Sequence, residues 1–273
     1  MRLFVTDIDD TLVAGESVSQ EVRDAFARLR AAGWDVIVAS GRSWCSAREH
    51  MEAIGVTLPS ILYNGGRIMD PQGRPLHSIL MDNDLANRVL RHVWTLPAEL
   101  QISGDEFVSC REEDRETRNF FAAAGCAVRP LRAPAVDFPA FRVSLWMPRE
   151  LMEDAERDLT LRFGEEALVC PGGPQYLDIQ PRGVSKGNAL DILLRDFIAR
   201  EGGRPEIIVA AGDHRNDQDI LSRADIAATP EDACPALLEE ADIVFPSARK
   251  RGIRQLIDRL LSQEGAGLSG VGI

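Results

Sequence analysis

Continuous apolar runs alternate with amphipathic segments at both ends of the chain. The runs have strand length, and the segments between them repeat their apolar residues every three or four positions, as a helix with one buried face does. This alternation predicts a parallel sheet with helices packed on both faces. The predicted strands are 3–7, 34–40, 60–64, 206–213, 226–229 and 241–245.

The middle of the chain has a different pattern. Along 141–147, apolar residues alternate with Arg142, Ser144 and Trp146, and this period of two predicts a strand with one covered face and one open face. Two helical patterns, at 85–96 and 149–163, accompany it, and a hairpin is predicted around Pro71–Gly73.

We therefore expect an α/β fold: a doubly wound parallel sheet, residues 1–81 and 183–273, with an inserted α+β cap domain, residues 82–182. The chain crosses between the two parts near 80–84 and 180–184, where Gly183 provides a flexible position. We expect these crossings to act as a hinge for the cap. The final segment, 265–273, lacks any apolar period and is expected to be a loose tail.

Charge and apolar content exclude several functions. The net charge of −12 over 273 residues argues against nucleic-acid binding, which needs a basic face, but a local pocket or a metal ion would still admit a small anion. No apolar run reaches the roughly 20 residues that span a membrane. Since a strand begins at Leu3, we expect no secretory signal and a cytoplasmic location.

The five cysteines are an odd number, scattered, and without a CxxC pair. This spacing favours reduced, inert thiols over a disulfide framework or a zinc site. The residues concerned are Cys45, Cys110, Cys126, Cys170 and Cys234.

Polar side chains follow the predicted parallel strands at the points where the strands end. Ligands bind beyond the carboxyl ends of the strands in doubly wound sheets, so these side chains are expected to converge. The set comprises Asp7, Asp9, Thr11, Ser40, Gly41, Arg42, Asn64, Asp213, Asn216 and Asp217, together with Lys186, which stands just inside the helix that precedes the strand 206–213.

Clustered carboxylates need a cation, and oxygen ligands suit Mg²⁺. Asp7, Asp213 and the carbonyl of Asp9 would supply ligands. One carboxylate could attack phosphorus and the second, two residues along, could transfer a proton to the leaving oxygen. Ser40 and the amide of Gly41 could donate to the phosphoryl oxygens, and Lys186 could offset the accumulated charge.

Individually, several of these residues also have ordinary structural explanations. Asp7 and Asp9 could cap a turn, and Ser40 could cap a helix. Lys186 could be a solvated lysine, although the positive end of a helix is unfavourable for it. Within the middle region, Asp178 could bind hydroxyl groups of a polyol or could lie on an exposed strand face. The combination with Asp213 and Lys186 at one sheet edge favours function for Asp7 and Asp9, and only the order of the motifs favours it for Ser40.

The motifs carry a family resemblance. "DIDDTL", Ser40, Lys186 and "GDHRND" match, in order, the four motifs of the haloacid dehalogenase superfamily, and "VASGR", "YNGG" and "GVSKGNAL" resemble its Cof-type phosphatases, which insert a large cap between the second and third motifs. The resemblance implies that Asp7 is the nucleophile and Asp9 the general acid/base. The implied Mg²⁺ ligands are Asp7, Asp9, Asp213 and Asp217, and the implied phosphate-binding residues are Ser40, Gly41, Arg42, Lys186 and Asn216.

The resulting prediction is a Mg²⁺-dependent phosphomonoester hydrolase that acts through an aspartyl-phosphate. Its expected substrate is a sugar phosphate or a related phosphorylated metabolite, with no nucleic-acid or membrane partner. Two alternatives stay open: a sugar phosphomutase of the same superfamily, and a phospho-receiver module. Receivers, however, have neither an inserted domain nor a second acid such as Asp9.

Overall fold

A computed structural model describes residues 1–173, 175–198 and 203–264 of the chain. The strands are β1 Arg2–Thr6, β2 Trp34–Val38, β3 Ser60–Leu62, β4 Arg67–Met69, β5 Pro75–Ser78, β6 Glu99–Ser103, β7 Phe107–Cys110, β8 Ala127–Pro130, β9 Arg142–Trp146, β10 Ala167–Gly173, β11 Tyr176–Pro181, β12 Ile207–Ala211, β13 Ile226–Pro230 and β14 Ile243–Phe245. The helices are α1 Gln20–Ala31, α2 Trp44–Ile54, α3 Asn83–Val93, α4 Arg115–Ala123, α5 Arg149–Phe163, α6 Lys186–Leu193, α7 Gln218–Leu221, α8 Pro235–Glu240 and α9 Gly252–Glu264.

Five strands form a parallel sheet in the order β14-β13-β12-β1-β2. The central strand β1 is apolar on both sides: Phe4 packs into one buried cluster with residues of α1 and α9, while Leu3 and Val5 pack into another with residues of α6 and α8. Burial on both faces explains why the strands read as continuous apolar runs. The predicted doubly wound α/β core is confirmed, but the expectation that the strand at 60–64 joins the parallel sheet is wrong. Because the chain turns back at Tyr63–Gly65, β3 pairs antiparallel with β4 in a separate sheet, β3-β4-β5, and an isolated parallel bridge, Ala39–Ile61, connects it to the residues after β2.

A second sheet of six strands, in the order β10-β11-β9-β6-β7-β8, is built from the middle of the chain. Its pairs are antiparallel except β7–β8. Helices α3 and α5 cover one face, where Val89 and Leu159 pack against Leu145 and Ile179. The mixture of helices with an antiparallel sheet agrees with the predicted α+β insertion, whereas α4 was not predicted. The domain boundaries at 82 and 182 remain a prediction.

The other face of this sheet corrects the expectation of an open strand face. Arg142 and Ser144 on β9 are buried, and only Trp146 is partly exposed. The reason is that the loops following β2 and β3 lie against this face: Asn64 donates to Asp178 of β11 across 2.9 Å. The alternating pattern therefore marks a polar face turned towards the core sheet.

The cysteine prediction is wrong for one pair. Cys45 in α2 and Cys126, just before β8, form a disulfide with Cα atoms 5.4 Å apart. The partners are 81 residues apart in sequence and meet only because the insertion folds back over α2. Cys110, Cys170 and Cys234 are free, and burial raises the pKa of Cys110 and Cys170 to about 12, which keeps these thiols protonated and unreactive.

The smaller predicted elements have mixed outcomes. The hairpin is confirmed, since β4 and β5 pair antiparallel and the amide of Gly73 donates to the carbonyl of Asp70. Helix α6 ends at Leu193, and residues 199–202 lie outside the described residues. The same holds for the tail, 265–273. Among the described helices, none combines the length and apolarity that a membrane crossing requires.

Candidate active site

An acidic cluster, defined here as Asp7, Asp213 and Asp217, lies at the carboxyl ends of β1 and β12. These strands are parallel neighbours, and the amide of Asp7 donates to the carbonyl of Ala211 across 2.9 Å. Each of the three carboxylates offers an oxygen within 4.8 Å of the others. The structure therefore brings together the side chains that the strand-end argument placed at one edge.

Lys186 is the cation of this cluster. Its Nζ lies 3.0 Å from Asp7 Oδ1 and 2.5 Å from Asp217 Oδ1, and its side chain is fully buried. Burial alone would lower the pKa of an ammonium group, but Asp217 and Asp7 outweigh it and raise the pKa of Lys186. Lys186 stands at the first position of α6, where Ser185 caps the helix by accepting from the amide of Asn188.

The carboxylates exceed the charge that one lysine can offset. Burial, reinforced by Asp217, raises the pKa of Asp7 to about 7 and that of Asp213 to about 9, against the opposing effect of Lys186. With one lysine beside three buried carboxylates, a further cation would favour full ionisation of the cluster. A set of carboxylate oxygens is the donor set that Mg²⁺ takes, so the residues present fit this ion. Asp7 and Asp213 have the carboxylates best placed to hold it.

Asp217 is occupied by protein groups. One of its oxygens accepts from Lys186, and the other accepts the amides of Asp213 and His214 at 3.0 and 3.1 Å. Asp217 is fully buried. These bonds fix the loop that presents Asp213, and direct metal ligation by Asp217 remains a prediction.

Asp9 and Arg42 form a pair at the rim. Arg42 donates from Nε to Asp9 Oδ2 (3.0 Å) and from Nη2 to Asp9 Oδ1 (2.6 Å), and its Nη1 donates to the carbonyl of Ser46. The Asp9 side chain is 58% exposed, and its carboxylate lies outside the acidic cluster. All three nitrogens of the predicted phosphate ligand Arg42 are therefore engaged by the protein.

The remaining predicted residues surround the same space. Ser40 is fully buried, and its Oγ accepts from the amide of Arg42 at 3.2 Å. At Gly41, a Cβ atom would lie 2.9 Å from Asn64 Oδ1, so only glycine fits there without displacing Asn64. Asn216 donates to Asn64 Oδ1 at 3.1 Å, while its own Oδ1 is buried without a partner.

A cavity of about 360 Å³ lies between these loops and the polar face of the six-stranded sheet. We call the side chains of β6, β9 and β11 that line this cavity the roof. They project from β6, β9 and β11, and none of them belongs to a motif recognised in the sequence. The roof comprises Gln101, Arg142, Trp146, Tyr176 and Asp178.

The structure excludes one of the two explanations that the sequence left open for Asp178, and the binding of a polyol remains a prediction. It is buried, so it does not lie on an exposed strand face. Its oxygens accept from Ser144 Oγ at 2.5 Å, Asn64 Nδ2 at 2.9 Å and Arg142 Nη1 at 3.0 Å, which leaves little acceptor capacity for a polyol. Asp178 instead joins the roof to the loop after β3.

Comparison with known proteins decides the family. The profile of the haloacid dehalogenase-like hydrolases matches residues 4–257. The chain belongs to this family. The resemblance carried by the four motifs is thereby confirmed, as is the prediction of an enzyme of the hydrolase class.

This hydrolase resembles curated and solved proteins over nearly its whole length. An HMP-PP phosphatase of Serratia proteamaculans is 26% identical over 241 residues, which cover 86% of each chain. A haloacid dehalogenase-like hydrolase from Bacteroides thetaiotaomicron has a TM-score of 0.81 at 19% identity, covering 95% of this chain and 99% of the other. A subclass IIB sugar phosphatase of the superfamily also has a TM-score of 0.81, at 16% identity with the same coverage. The two structures support the fold.

Proposed function

We propose that this hydrolase is a Mg²⁺-dependent phosphatase that hydrolyses phosphomonoesters through an aspartyl-phosphate on Asp7. The observation that carries the proposal is the acidic cluster with Lys186 at the end of β1. A carboxylate held 3.0 Å from a buried ammonium and beside two further acids can attack phosphorus only where positive charge is supplied. When bound, Mg²⁺ would neutralise charge on the transferring phosphoryl group.

Residues of the chain supply the nucleophile, the proton transfers and the hydrogen bonds to the phosphoryl group. A carboxylate oxygen of Asp7 forms a bond to phosphorus as the bond to the leaving oxygen breaks, and Asp9 gives that oxygen a proton. Asp9 then accepts a proton from the water that cleaves the aspartyl-phosphate, which releases phosphate and restores Asp7. The pairing of Asp9 with Arg42 holds its carboxylate at the rim, and the backbone amide of Gly41 is free to face the phosphoryl group.

The proposed substrate is a small phosphorylated metabolite, such as a sugar phosphate. A cavity of about 360 Å³ has the size of a pocket for a small molecule. The similarity to an HMP-PP phosphatase and to a sugar phosphatase supports a metabolite rather than a protein substrate. We propose that the enzyme acts in the cytoplasm.

Two alternatives give different products. A phosphomutase would return the phosphoryl group to the sugar and yield an isomeric sugar phosphate, whereas a receiver would be phosphorylated once without turnover. No feature of the site favours either alternative. Assay of inorganic phosphate over many turnovers, with product analysis for isomers, separates all three functions.

Replacing Asp7 by Asn tests the proposal. We expect phosphate release to fall by more than about four orders of magnitude, since an amide cannot attack phosphorus and the loss of a nucleophile is rarely compensated. The thermal midpoint should be unchanged or higher, because the substitution removes one of three crowded acids. Asp10→Asn, a neighbouring carboxylate outside the acidic cluster, is the matched control and should retain activity within a few-fold. Substantial turnover by the Asp7 variant would contradict the assignment.

A further inference from the structure

The roof contains a cation whose donors are incompletely used. Arg142 lines the cavity, and its side chain is only 10% exposed. A guanidinium has five N–H donors. One nitrogen, Nη1, donates to Asp178 at 3.0 Å, Nε is buried without a partner, and Nη2 donates to none of the described residues. A nearly buried charge with free donors is costly unless a ligand completes its hydrogen bonds.

The position of Arg142 is fixed from both sides. The preceding residue, Phe141, stacks on Tyr63 of the core with ring centroids 4.1 Å apart. Asp178 then holds the guanidinium and is itself held by Asn64 and Ser144. At Gly41, a Cβ atom would come within 3.4 Å of Arg142 Nη1. The guanidinium therefore lies beside the loop proposed to face the phosphoryl group, but it approaches from the roof.

The second arginine of the cavity shows the contrast. Arg42 also lines the cavity, yet Asp9 and the carbonyl of Ser46 occupy its nitrogens. All three nitrogens of Arg42 thus bond to the protein, whereas within the described part of the chain only one nitrogen of Arg142 does. Of these two cations, Arg142 is the one prepared to bind a ligand oxygen.

We propose that Arg142 binds an oxyanion on the leaving group, so that the preferred substrates carry a second anionic group, a carboxylate or a second phosphoryl group, next to the phosphoester. The inference rests on the proposed function and deepens it by naming a substrate class. Charge-assisted bonds from a planar guanidinium suit both kinds of oxyanion. Asp178 acts as a positioning residue that orients the guanidinium.

Two substrate pairs test this inference. Phosphoglycolate and ethyl phosphate differ by a carboxylate against a methyl group, and 1,2-ethanediol bisphosphate and 2-methoxyethyl phosphate differ by a second phosphoryl group against a methyl group. We expect the wild-type enzyme to favour the anionic member of at least one pair by roughly 10- to 100-fold in kcat/KM, the range expected for charge-assisted hydrogen bonds. In Arg142→Gln this preference should fall to a few-fold, mainly through KM, while hydrolysis of ethyl phosphate changes less than about threefold. Arg142→Lys should retain part of the preference for the compound with the additional anionic group.

Controls separate the inference from misfolding and from the chemistry. Arg129→Gln changes an exposed arginine of β8 that does not line the cavity and should keep the preference. The double variant Arg142→Gln/Asp178→Asn removes both charges together, so no buried charge is left alone, and it should lose the preference as Arg142→Gln does. Calorimetric binding of phosphoglycolate and ethyl phosphate to the Asp7→Asn protein with Mg²⁺ gives the same comparison without turnover.

Each result of these measurements leads to one conclusion about Arg142 or about the proposed function. Loss of the preference in only one pair identifies that oxyanion as the one recognised and supports the inference. An equal loss of kcat/KM for the compounds with and without the additional anionic group would place Arg142 on the transferred phosphoryl group and overturn the inference. A wild-type protein that shows no preference in either turnover or binding would also overturn it. Hydrolysis of all four compounds with no preference would leave the proposed function standing. Absence of hydrolysis with a retained binding preference would reject the function and not the oxyanion site.

Discussion

The acidic cluster and the roof face each other across one cavity but differ in how completely their polar groups are partnered. In the cluster, Lys186 joins Asp7 and Asp217, and Thr11 donates to Asp213 at 2.8 Å. In the roof, Gln101 Oε1 and Arg142 Nε are buried without partners. Unsatisfied buried groups are rare in folded proteins. Among the described residues, the roof contains two of them and the three acids of the cluster contain none, while Asn216 Oδ1, in the loop beside the cluster, is a further one.

The difference separates two tasks. The cluster holds its reacting groups in place before the substrate arrives, which is how preorganised electrostatic stabilisation works. The roof carries groups whose hydrogen bonds are completed by whatever enters the cavity, and this is how a site discriminates among ligands. Changes in the cluster should therefore affect all substrates alike, whereas changes in the roof should affect some substrates and spare others.

After the loss of Asp7, metal removal should have the largest effect on the rate, and this effect should be uniform across substrates. EDTA is expected to abolish phosphate release, and Mg²⁺ to restore it. Loss of several kcal/mol of charge stabilisation corresponds to roughly three orders of magnitude in rate. Ca²⁺ should substitute poorly because it prefers more ligands and looser geometry. A loss of activity confined to some substrates would contradict the proposal that the cluster acts on all substrates and the roof discriminates among them.

Thermal unfolding provides a second measurement of the same site. An ion present at 100 times its dissociation constant adds about 2.7 kcal/mol, so Mg²⁺ should raise the midpoint by roughly 5 °C or more. Asp213→Asn should abolish this rise, and Asp10→Asn should keep it. An equal Mg²⁺ response in all three proteins would show that the ion binds elsewhere.

The cluster could be predicted from sequence because its geometry is local to strand ends. Asp7 and Asp213 each directly follow a buried run or its terminal glycine, and parallel strands bring such positions to one edge whatever the rest of the fold does. Ser40 was found for the same reason, and Lys186 from its place just inside the helix that precedes β12 and from the order of the motifs. The ordered motifs added the roles, but not the pairing of Asp9 with Arg42, which depends on side-chain placement at the rim.

The roof could not be predicted because it depends on strand register across long separations. Gln101 lies opposite Ser144, and Ser144 lies opposite Asp178, so three distant segments build one row. Alternation along β9 identified a polar face but not what that face meets. Helix α4 was missed for a related reason: its described burial rests on only Thr117 and Phe121, too few for a helical apolar pattern.

The disulfide connects the two regions, and its removal should have the next largest effect. Cys45 belongs to the core helix α2 and Cys126 to the insertion, so the bond tethers the insertion at a point remote from the crossings near 82 and 183. Closing a loop of about 80 residues stabilises a protein by about 4 kcal/mol in the chain-entropy picture. Cys126→Ser should lower the unfolding free energy by up to that amount.

The same substitution should release the expected hinge motion. If cap opening limits product release, Cys126→Ser should raise kcat a few-fold and make it insensitive to dithiothreitol, whereas the wild-type rate should rise on reduction. Cys234→Ser, which changes a free thiol of the core, is the control and should behave as wild type. If dithiothreitol changed neither the stability nor the rate of the wild-type protein, the disulfide would be absent in solution or would have no effect on cap opening.

The smallest predicted effect concerns Gln101, and it distinguishes roof from cluster most directly. Its Oε1 is buried without a partner and its side chain is almost wholly enclosed. Gln101→Leu replaces an unsatisfied acceptor by an apolar group of similar size, so the free protein should gain up to about 1–2 kcal/mol in unfolding free energy. Substrates that donate a hydrogen bond to the roof should lose roughly 3- to 30-fold through KM, with kcat nearly unchanged. Ile102→Val, on the same strand but facing the helices, should instead cost about 1 kcal/mol and leave every KM unaltered. A Gln101 variant that binds all substrates as tightly as wild type, or that lowers kcat uniformly, would contradict the assignment of discrimination to the roof. The reason is that removing a group that hydrogen-bonds to the substrate must weaken substrate binding.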